Sequence, residues 1–517
     1  MRRIGIDVGG TNTDAVLIEE GKVTGAVKAP TSEDVTTGIL DSLRTLGATG
    51  VLKESTGALK RIDGVMIGTT HFINAVVQRR HLTKVGALRL GMPASASLPP
   101  FCDWPEDLAT LVRGSVWMVE GGHEYDGRLF MPLDEAAVTK AAQEMKAAGL
   151  KAVAISSIFS PLDPSHERRA AELVTAVIPD AAITCSSDLG RIGLLERENA
   201  GLLNAGLADL ARETIAAFEK AIRDSGIAAP LFITQNDGTV VEAAQARRLP
   251  VYSFASGATN SMRGAAYLSG MQDAMVIDVG GTTTDVGQLR NGFPREANSV
   301  VKVGGVRTLF RMPDLLSIGL GGGSHVVLDP LTVGPVSVGY RLLRDGIAFG
   351  GAQLTTTDVA VAMGVLDLGD KAKVAHLDRA TCLKVFAEAA RLAEEAIDRM
   401  KTEAGDVPLI AVGGGAFLIP DKMAGVSKVI HVQHGDCANA VGAAIAQVSG
   451  ECDQIFKDLT RVEAISAAQG IANDRAVAAG ASRASLTTIE SEDMPLAYLP
   501  GNSVRVRVRV VGDVAAG

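Results

Sequence analysis

The chain has 517 residues, a length that holds two or three domain-sized cores and excludes a small stapled scaffold. Its net charge of -9 argues against bulk affinity for nucleic acid or an anionic membrane, since both need a basic surface, so any anionic ligand must be held by local groups. A mean hydropathy of +0.20 arises without an 18-residue apolar run and predicts no membrane span.

In chain order, Ile4 to Val8 is a β-prone run ending in glycines, and Ala15 to Ile18 and Val23 to Val27 flank Gly21-Lys22. That pattern predicts consecutive antiparallel strands joined by tight turns. The rhythm then changes to strand and helix. Val65 to Gly68 precedes a helical stretch from Phe72 to Arg80; Asp134 to Ala148 reads as a helix with Asp134 as N-cap and Gly149 past its end, feeding a strand from Ala152 to Phe159. Asp163-Pro164-Ser165-His166-Glu167 opens a helix towards Val177 with Ser165 as its cap, and helical periodicity resumes from Leu194 to Ile222. After Pro230 come a strand from Leu231 to Thr234, a loop around Ser256-Gly257, a helix from Met262 to Leu268 and a strand from Ala274 to Asp278. A long Ala/Glu helix, Leu383 to Met400, leads to a strand, Val407 to Val412, and the turn Gly413-Gly414-Gly415. Finally Val504 to Val511 alternates valine and arginine with period two, which predicts a half-exposed strand at a sheet edge. The expected class is mixed α/β, with segments 1–190, 191–450 and 451–517.

Five cysteines at 102, 185, 382, 437 and 452 show no CxxC spacing and no even count, so a reducing cytoplasm is the expected setting. Met1-Arg2-Arg3 resembles the start of a signal peptide, but Asp7 and Gly9-Gly10 interrupt the apolar segment and no such leader is expected.

The most informative feature is a repeat. Residues 6–14 read Ile-Asp-Val-Gly-Gly-Thr-Asn-Thr-Asp and residues 277–285 read Ile-Asp-Val-Gly-Gly-Thr-Thr-Thr-Asp, each led in by an apolar strand and led out by a β-prone one. A single turn of this composition is an ordinary Gly-rich turn. Its recurrence with both Asp and Thr retained suggests two similar lobes facing one another. Paired glycines let backbone N–H groups approach a ligand and Thr hydroxyls add donors, so Gly9, Gly10, Thr11, Asn12 and Thr13, with Gly280, Gly281, Thr282 and Thr283, form a candidate phosphate cradle. Asp7 and Asp278 would repel phosphate directly; their sensible role is to hold Mg²⁺ (or Mn²⁺) or to orient a nucleophile. The sequences of P-loop and dinucleotide fingerprints are absent.

Two Asp-Gly-Gly-Thr hairpins followed by a late Gly-Gly-Gly turn resemble the order of motifs in the actin, sugar-kinase and heat-shock chaperone ATPase superfamily. That resemblance implies two actin-like (ribonuclease H-like) lobes with a nucleotide cleft between them and a short C-terminal β-containing extension. It also implies ATP as the nucleotide, Gly413, Gly414 and Gly415 against its adenosine, and Asn439 to Ala444 as a small-residue helix at a close inter-lobe crossing. A nearer resemblance, over most of the chain, is to the ATP-binding A-type subunit of the hydantoinase/oxoprolinase family. It rests on Asp7 to Asp14, Gly68-Thr69-Thr70 with Asn74-Ala75, Ser160 to Glu167, Ser186-Ser187 leading to Glu196-Arg197, Asp278 to Asp285, Ile318 to Ser324, Val333-Gly334-Pro335 and Pro495 to Gly501. The family implies ATP-dependent opening of a cyclic amide or imide such as hydantoin, oxoproline or a lactam, with related members that carboxylate ketones. It further implies catalytic carboxylates at Asp7, Asp278 and Asp285, and a homo- or hetero-oligomer with a B-type subunit or another partner, a half for which 517 residues leave no room. Departures occur at Asn12, at Gln235-Asn236-Asp237-Gly238 and at Ser256-Gly257-Ala258-Thr259-Asn260, near where substrate is expected. A small-molecule kinase and a nucleotide-switched activator are the rival readings.

Beyond the hairpins, His71 and Asn74 follow a strand-to-helix turn and His325 follows a glycine loop, so all three are candidate substrate residues. His123, in Gly-Gly-His-Glu-Tyr-Asp-Gly, reads as an exposed polar turn, with metal ligation beside Glu124 or Asp126 as the alternative. His166 reads as structural, His431 and His434 as loop residues, and Cys185 as core.

Overall fold

The computed structural model describes residues 1–9, 12–30, 35–54, 59–190, 192–297, 300–309, 311–496 and 502–515. Gly10, Thr11 and the Ala497 to Gly501 part of the C-terminal family segment lie outside the described residues.

The fold is mixed α/β and is organised by three main sheets. The largest has nine strands in the order Thr487–Pro495, Val504–Gly512, Gln447–Phe456, Thr239–Glu242, Leu231–Thr234, Gly64–Thr69, Arg2–Val8, Asn12–Glu19, Lys22–Pro30. It takes strands from all three expected segments. A six-stranded sheet centres on Ala274–Val279, flanked by Thr284–Arg290 and Val407–Val412. A four-stranded parallel sheet, Arg113–Glu120, Val85–Met92, Ala152–Ser157 and Ala182–Cys185, carries the remaining N-terminal elements.

The sequence repeat is a structural repeat. Arg2–Val8 pairs antiparallel with Asn12–Glu19, placing Asp7 opposite Asp14 and Val8 opposite Thr13. Ala274–Val279 pairs with Thr284–Arg290 in the same register, Asp278 opposite Asp285 and Val279 opposite Thr284. Each first strand also pairs in parallel with a later strand that ends in glycine-bearing sequence, Asp7 opposite Gly68 and Asp278 opposite Val412. Apolar side chains explain the placement. Ile4, Ile6, Ala15 and Leu17 are buried against Ile39, Ile215 and Phe218 of the covering helices, while Met275, Ile277 and Val279 pack with Val385, Ala389 and Ala393 of the Arg379–Met400 helix. Each such fully buried Ile, Leu, Val, Met or Phe side chain contributes about 1.5–3 kcal/mol of transfer free energy.

Between the two sheets the helices Ser256–Ser269 and Ala438–Ile445 cross. A Cβ on Gly264 would run into the carbonyl of Ala438, and one on Gly442 into the carbonyl of Asn260, so both glycines are required for the backbones to touch. This is the small-residue crossing that the actin-type resemblance implied. Gly5 meets the same Ala438–Ile445 helix at the carbonyl of Ala440.

Four local expectations change. The Ser256-Gly257 stretch is the first turn of a helix and not a loop, because that helix runs Ser256–Ser269. The 194–222 region is two helices, Leu194–Gly206 and Ala208–Asp224. Ser165 is the first residue of its helix and not the cap; Pro164 holds the cap position, and Asp163 Oδ1 accepts the Ser165 N–H (2.9 Å). The Val504–Gly512 strand lies one place in from the sheet edge, between Gln447–Phe456 and Thr487–Pro495. Its arginines alternate because one face is a buried ion-pair network and not solvent: Arg507 and Arg509 meet Glu296 and Glu490, and Arg311 joins Glu296, Glu451 and Glu490.

Candidate functional site

Both hairpin turns close in the same way, with Gly9 N–H donating to the carbonyl of Asn12 (3.1 Å) and Gly280 N–H to that of Thr283 (2.9 Å). Asn12, Thr282 and Thr283 are exposed at the tips, whereas Thr13 and Thr284 point into the protein. The second turn is braced from below. Gly322 and Gly323 donate to the carbonyls of Gly280 (3.0 Å) and Gly281 (2.7 Å), and Thr284 Oγ1 donates to the carbonyl of Leu320 (2.7 Å). The 319–323 glycine loop thus supports the hairpin.

A glycine abuts each leading aspartate. A Cβ on Gly68 would stand 3.0 Å from Asp7 Oδ1, and one on Gly413 would collide with Asp278 Oδ1. Gly415 N–H donates to the carbonyl of Val279 (2.7 Å), so the Gly413-Gly414-Gly415 turn lies against the second hairpin. Around Asp7 the helix starts converge: Asn439 Nδ2 donates to Asp7 Oδ2 (3.3 Å), Asn260 Nδ2 donates to Thr234 Oγ1 (3.0 Å), and Gly257 packs beside Thr70.

The four hairpin carboxylates share one electrostatic environment. Burial, then the charges of Asp14 and Asp278, push Asp7 up to about 7. Burial and the neighbouring Asp285 push Asp278 up to about 6, and the charges of Lys28 and Asp14 reach it from the first hairpin. Burial raises Asp14 and Asp285 as well. Lys28 Nζ bonds Asp14 Oδ2 at 2.8 Å; burial disfavours its charge, but Asp14 and its neighbours outweigh burial and hold it protonated. Lys28 thus pairs with Asp14 and its charge also reaches Asp7 and Asp278, while Asp285 adjoins Asp278. Such an acid-rich pair of turns suits a divalent cation and the phosphates it accompanies.

Sequence reasoning missed Lys28, Asp14 as a charge partner, and Asn439 as a ligand of Asp7. His71 and Asn74 occupy the first turn of the His71–Gln78 helix, where Asn74 Nδ2 donates to Thr70 Oγ1 (3.2 Å). His325 lies on the Ser324–Leu328 strand, two residues past the Gly323 that bonds Gly281, and is bridged to Thr355 and close enough to Asp345 to affect its charge. His123 is not an exposed turn: it is 5% exposed, and no group of three or more metal-ligating side chains occurs among the described residues. Cys185 is buried, as expected for core.

A mixed α/β protein with two Asp-Gly-Gly-Thr hairpins in matched register is the class these observations define. The hydantoinase/oxoprolinase N-terminal region matches residues 3–178 and the hydantoinase/oxoprolinase region matches residues 197–375; the chain belongs to the hydantoinase/oxoprolinase family. It is 28% identical over 392 residues to the caprolactamase alpha subunit of Pseudomonas jessenii, covering 70% of this chain and 54% of that relative. It is 27% identical to the acetophenone carboxylase gamma subunit of Aromatoleum aromaticum, covering 70% of this chain and 53% of that relative. The crystal structure of the ATP-dependent caprolactamase from Pseudomonas jessenii superposes with a TM-score of 0.77 at 21% identity, over 99% of this chain and 88% of that chain, a likeness of fold. The chain spans about half the length of most of the curated relatives it matches. Among the described residues no helix is long and apolar enough to cross a membrane.

Proposed function

We propose that this chain uses ATP to activate the carbonyl oxygen of a cyclic amide or imide, of the hydantoin, oxoproline or lactam type, as the first step of ring opening. The observation that carries the reading is the pair of hairpins in matched register, whose buried carboxylates Asp7 and Asp278 feel one another's charge. Gly9 and Gly280 close the two turns through their own N–H groups; the Gly281 N–H and the exposed hydroxyls of Thr282 and Thr283 bind the phosphates, and the Gly413-Gly414-Gly415 turn receives the adenosine. The raised affinity of Asp7 and Asp278 for protons marks uncompensated negative charge, which fits Asp7 and Asp278 as holders of Mg²⁺ or Mn²⁺. The ion supplies charge neutralisation on the phosphates.

An unstrained amide resists attack by water because its resonance must be broken. Transfer of the γ-phosphoryl group to the carbonyl oxygen releases ADP and leaves an imidate phosphate. Water then adds to that carbon, the C–N bond opens to give a free amine and an acyl phosphate, and a second water releases phosphate and leaves the carboxylate. In this chain Asp285 supports Asp278, while His71, Asn74 and His325 face substrate on the approach side. The names of the relatives support a hetero-oligomer with a further subunit. The five free thiols support a reducing, cytoplasmic setting.

The test is ADP release measured with hydantoins, lactams, ketones and simple alcohols, with and without proteins encoded nearby. Turnover tied to ring opening is the expected result. A stable phosphate ester of an alcohol, or turnover that needs only a partner protein, would overturn the reading in favour of a kinase or an activator. The ketones address a second reading, shared carbonyl activation for carboxylation, which the likeness to the acetophenone carboxylase subunit favours.

A further inference from the structure

Two adjoining cavities of about 340 Å³ each open where the four-stranded parallel sheet meets the nine-stranded one, and no hairpin residue lines either. Pro161, Ser187, Asp188, Gln454 and Arg475 line both, and each volume lies within the ~300–1,000 Å³ range of small-molecule sites. One wall is made by the loops that leave the carboxyl ends of Ala152–Ser157 and Ala182–Cys185, which is where open parallel sheets receive ligands. The other is the Gln447–Phe456 strand. Its ladder with Thr239–Glu242 stops at Val448, so beyond that point this side of the strand has no strand partner among the described residues, and Ser449, Glu451, Asp453 and Gln454 line the gap.

The charges around the gap differ in what they leave open. Asp188 pairs with Arg168 and Arg248, Asp237 with Arg509, Glu451 with Arg311 and Arg507, and Asp453 with Arg505, so every lining carboxylate is already neutralised. Arg475 is different. Among the described residues it has no carboxylate partner; its Nη1 donates to the main-chain carbonyl of Glu451 (2.7 Å), which anchors the guanidinium on the wall of both cavities and leaves its charge and its other N–H groups to a ligand. The side chain is exposed, so those donors are within reach. A single guanidinium balances one carboxylate, whereas the paired carboxylates around it disfavour a dianion. The amides complete the pattern. Among the described residues the side chains of Gln245 and Gln454 make no hydrogen bond, and that of Gln235 only accepts one, from Thr239 Oγ1 (3.4 Å). An amide both donates and accepts, which is the complement of a hydroxyl that does the same.

We propose that this pair of cavities binds a small hydroxycarboxylate, with its carboxylate on Arg475 and its hydroxyls on the side-chain amides of Gln235, Gln245 and Gln454. The site goes beyond the hairpin reading and does not need it, because binding here requires neither nucleotide nor phosphoryl transfer. A bound molecule would join the C-terminal strand and helix to the loops of the N-terminal parallel sheet.

The probes are D-glycerate and D-gluconate, with glycerol and sorbitol as their uncharged counterparts and acetate as a carboxylate without hydroxyls, titrated into the nucleotide-free full chain by calorimetry. At least one of the two hydroxy acids is expected to bind about tenfold or more tightly than its uncharged counterpart, the scale of one charge-assisted hydrogen bond, and more tightly than acetate. Arg475→Gln should weaken that binding about tenfold or more, and Gln454→Leu about fivefold, the loss of one net hydrogen bond. Asp278→Asn should leave it intact even where ADP release is lost, which keeps a failure of this site apart from a failure of the hairpin reading. Polyols that bind as tightly as the acids, acetate that binds as tightly as both, wild-type affinity in the folded Arg475→Gln protein, loss of binding in the folded Asp278→Asn protein, or no binding of either acid at millimolar concentration would each overturn the proposal. The polyol and acetate comparisons are made on the wild-type protein and so stand even if a variant fails to fold.

Discussion

The side-chain amide of Asn439 donates to Asp7 Oδ2 at 3.3 Å, tying the first turn of the Ala438–Ile445 helix to the first hairpin across 432 residues of sequence. The same helix crosses Ser256–Ser269 through Gly442, so the position of Asn439 beside Asp7 is fixed by a backbone contact as well. Asn439→Leu should therefore remove a hydrogen bond that favours the charged carboxylate and raise Asp7 further. The pH profile of ADP release should shift its acid limb to higher pH; an unmoved limb in a folded variant would refute the link.

Replacing Asp278 by Asn keeps the shape of the second hairpin and removes its charge. We expect ADP release to fall by about 10²–10⁴-fold, the range for loss of a positioned proton-handling or charge-organising group. The same loss is expected for Asp7→Asn, with circular dichroism to establish that each variant folds. Turnover within threefold of wild type in both would remove the hairpins from the chemistry.

Stability should respond to pH in the direction opposite to an ordinary salt-bridged aspartate. The native pKa values of Asp7 (about 7) and Asp278 (about 6) stand above the unfolded value near 3.9, so the native state holds its protons longer than the unfolded chain. Their contribution is favourable below about pH 4 and is lost as pH rises through 6 and 7. In metal-free buffer, urea unfolding should find Asp7→Asn more stable than wild type at pH 8, with the advantage shrinking towards pH 5. An advantage that is constant with pH would contradict the shared-charge description.

At the helix crossing, Gly442→Ala and Gly264→Ala each force a methyl group against a carbonyl of the facing backbone. Overpacking of this kind costs about 1–3 kcal/mol, and more when backbone rather than a side chain must yield. Chemical denaturation should register that loss for each single variant. The pair should be less than additive, since separating the helices once relieves both contacts.

Arg311 is buried among Glu296, Glu451 and Glu490. Arg311→Met should cost about 1–3 kcal/mol, because each carboxylate loses one charged hydrogen-bond partner while Arg507 and Arg509 still reach the group. Replacing Arg461, which reaches its partner Asp493 from an exposed position, should cost far less, because solvent screens the pair. Comparable losses at the two sites would show that the network is not buried in the working protein.

Much of the fold follows from strand periodicity and turn chemistry. The limits of Leu231–Thr234 and Val407–Val412 agree with their apolar runs, and the two hairpins are recognisable from eight shared positions. Lys28 was hidden by a bulge. The Glu20-Gly21 turn sets Glu19 opposite Lys22, and an unbroken ladder from there would put Val27 opposite Asp14; the irregularity between Leu17 and Ile18 advances the register by one and turns Lys28 to face it. The arginine stripe at the end misled for a related reason: period two reports that one face is polar, not whether that face meets water or buried carboxylates. His123 misled because a glycine-rich polar loop reads as surface, whereas its two glycines serve to press the loop onto Ile158.

The nine-stranded sheet holds the first hairpin near one side and the Val504–Gly512 strand near the other. On a ribosome the latter emerges about 500 residues after Arg2, roughly 25–100 s later at ~5–20 residues per second. Throughout that interval the nascent sheet presents an unpaired Gln447–Phe456 edge, or lacks that strand altogether, and its interior carboxylates await their arginines. Newly made chains are thus expected to depend on holding factors during translation, and slowing elongation over the codons between Gln447 and Val504 should increase their capture by chaperones.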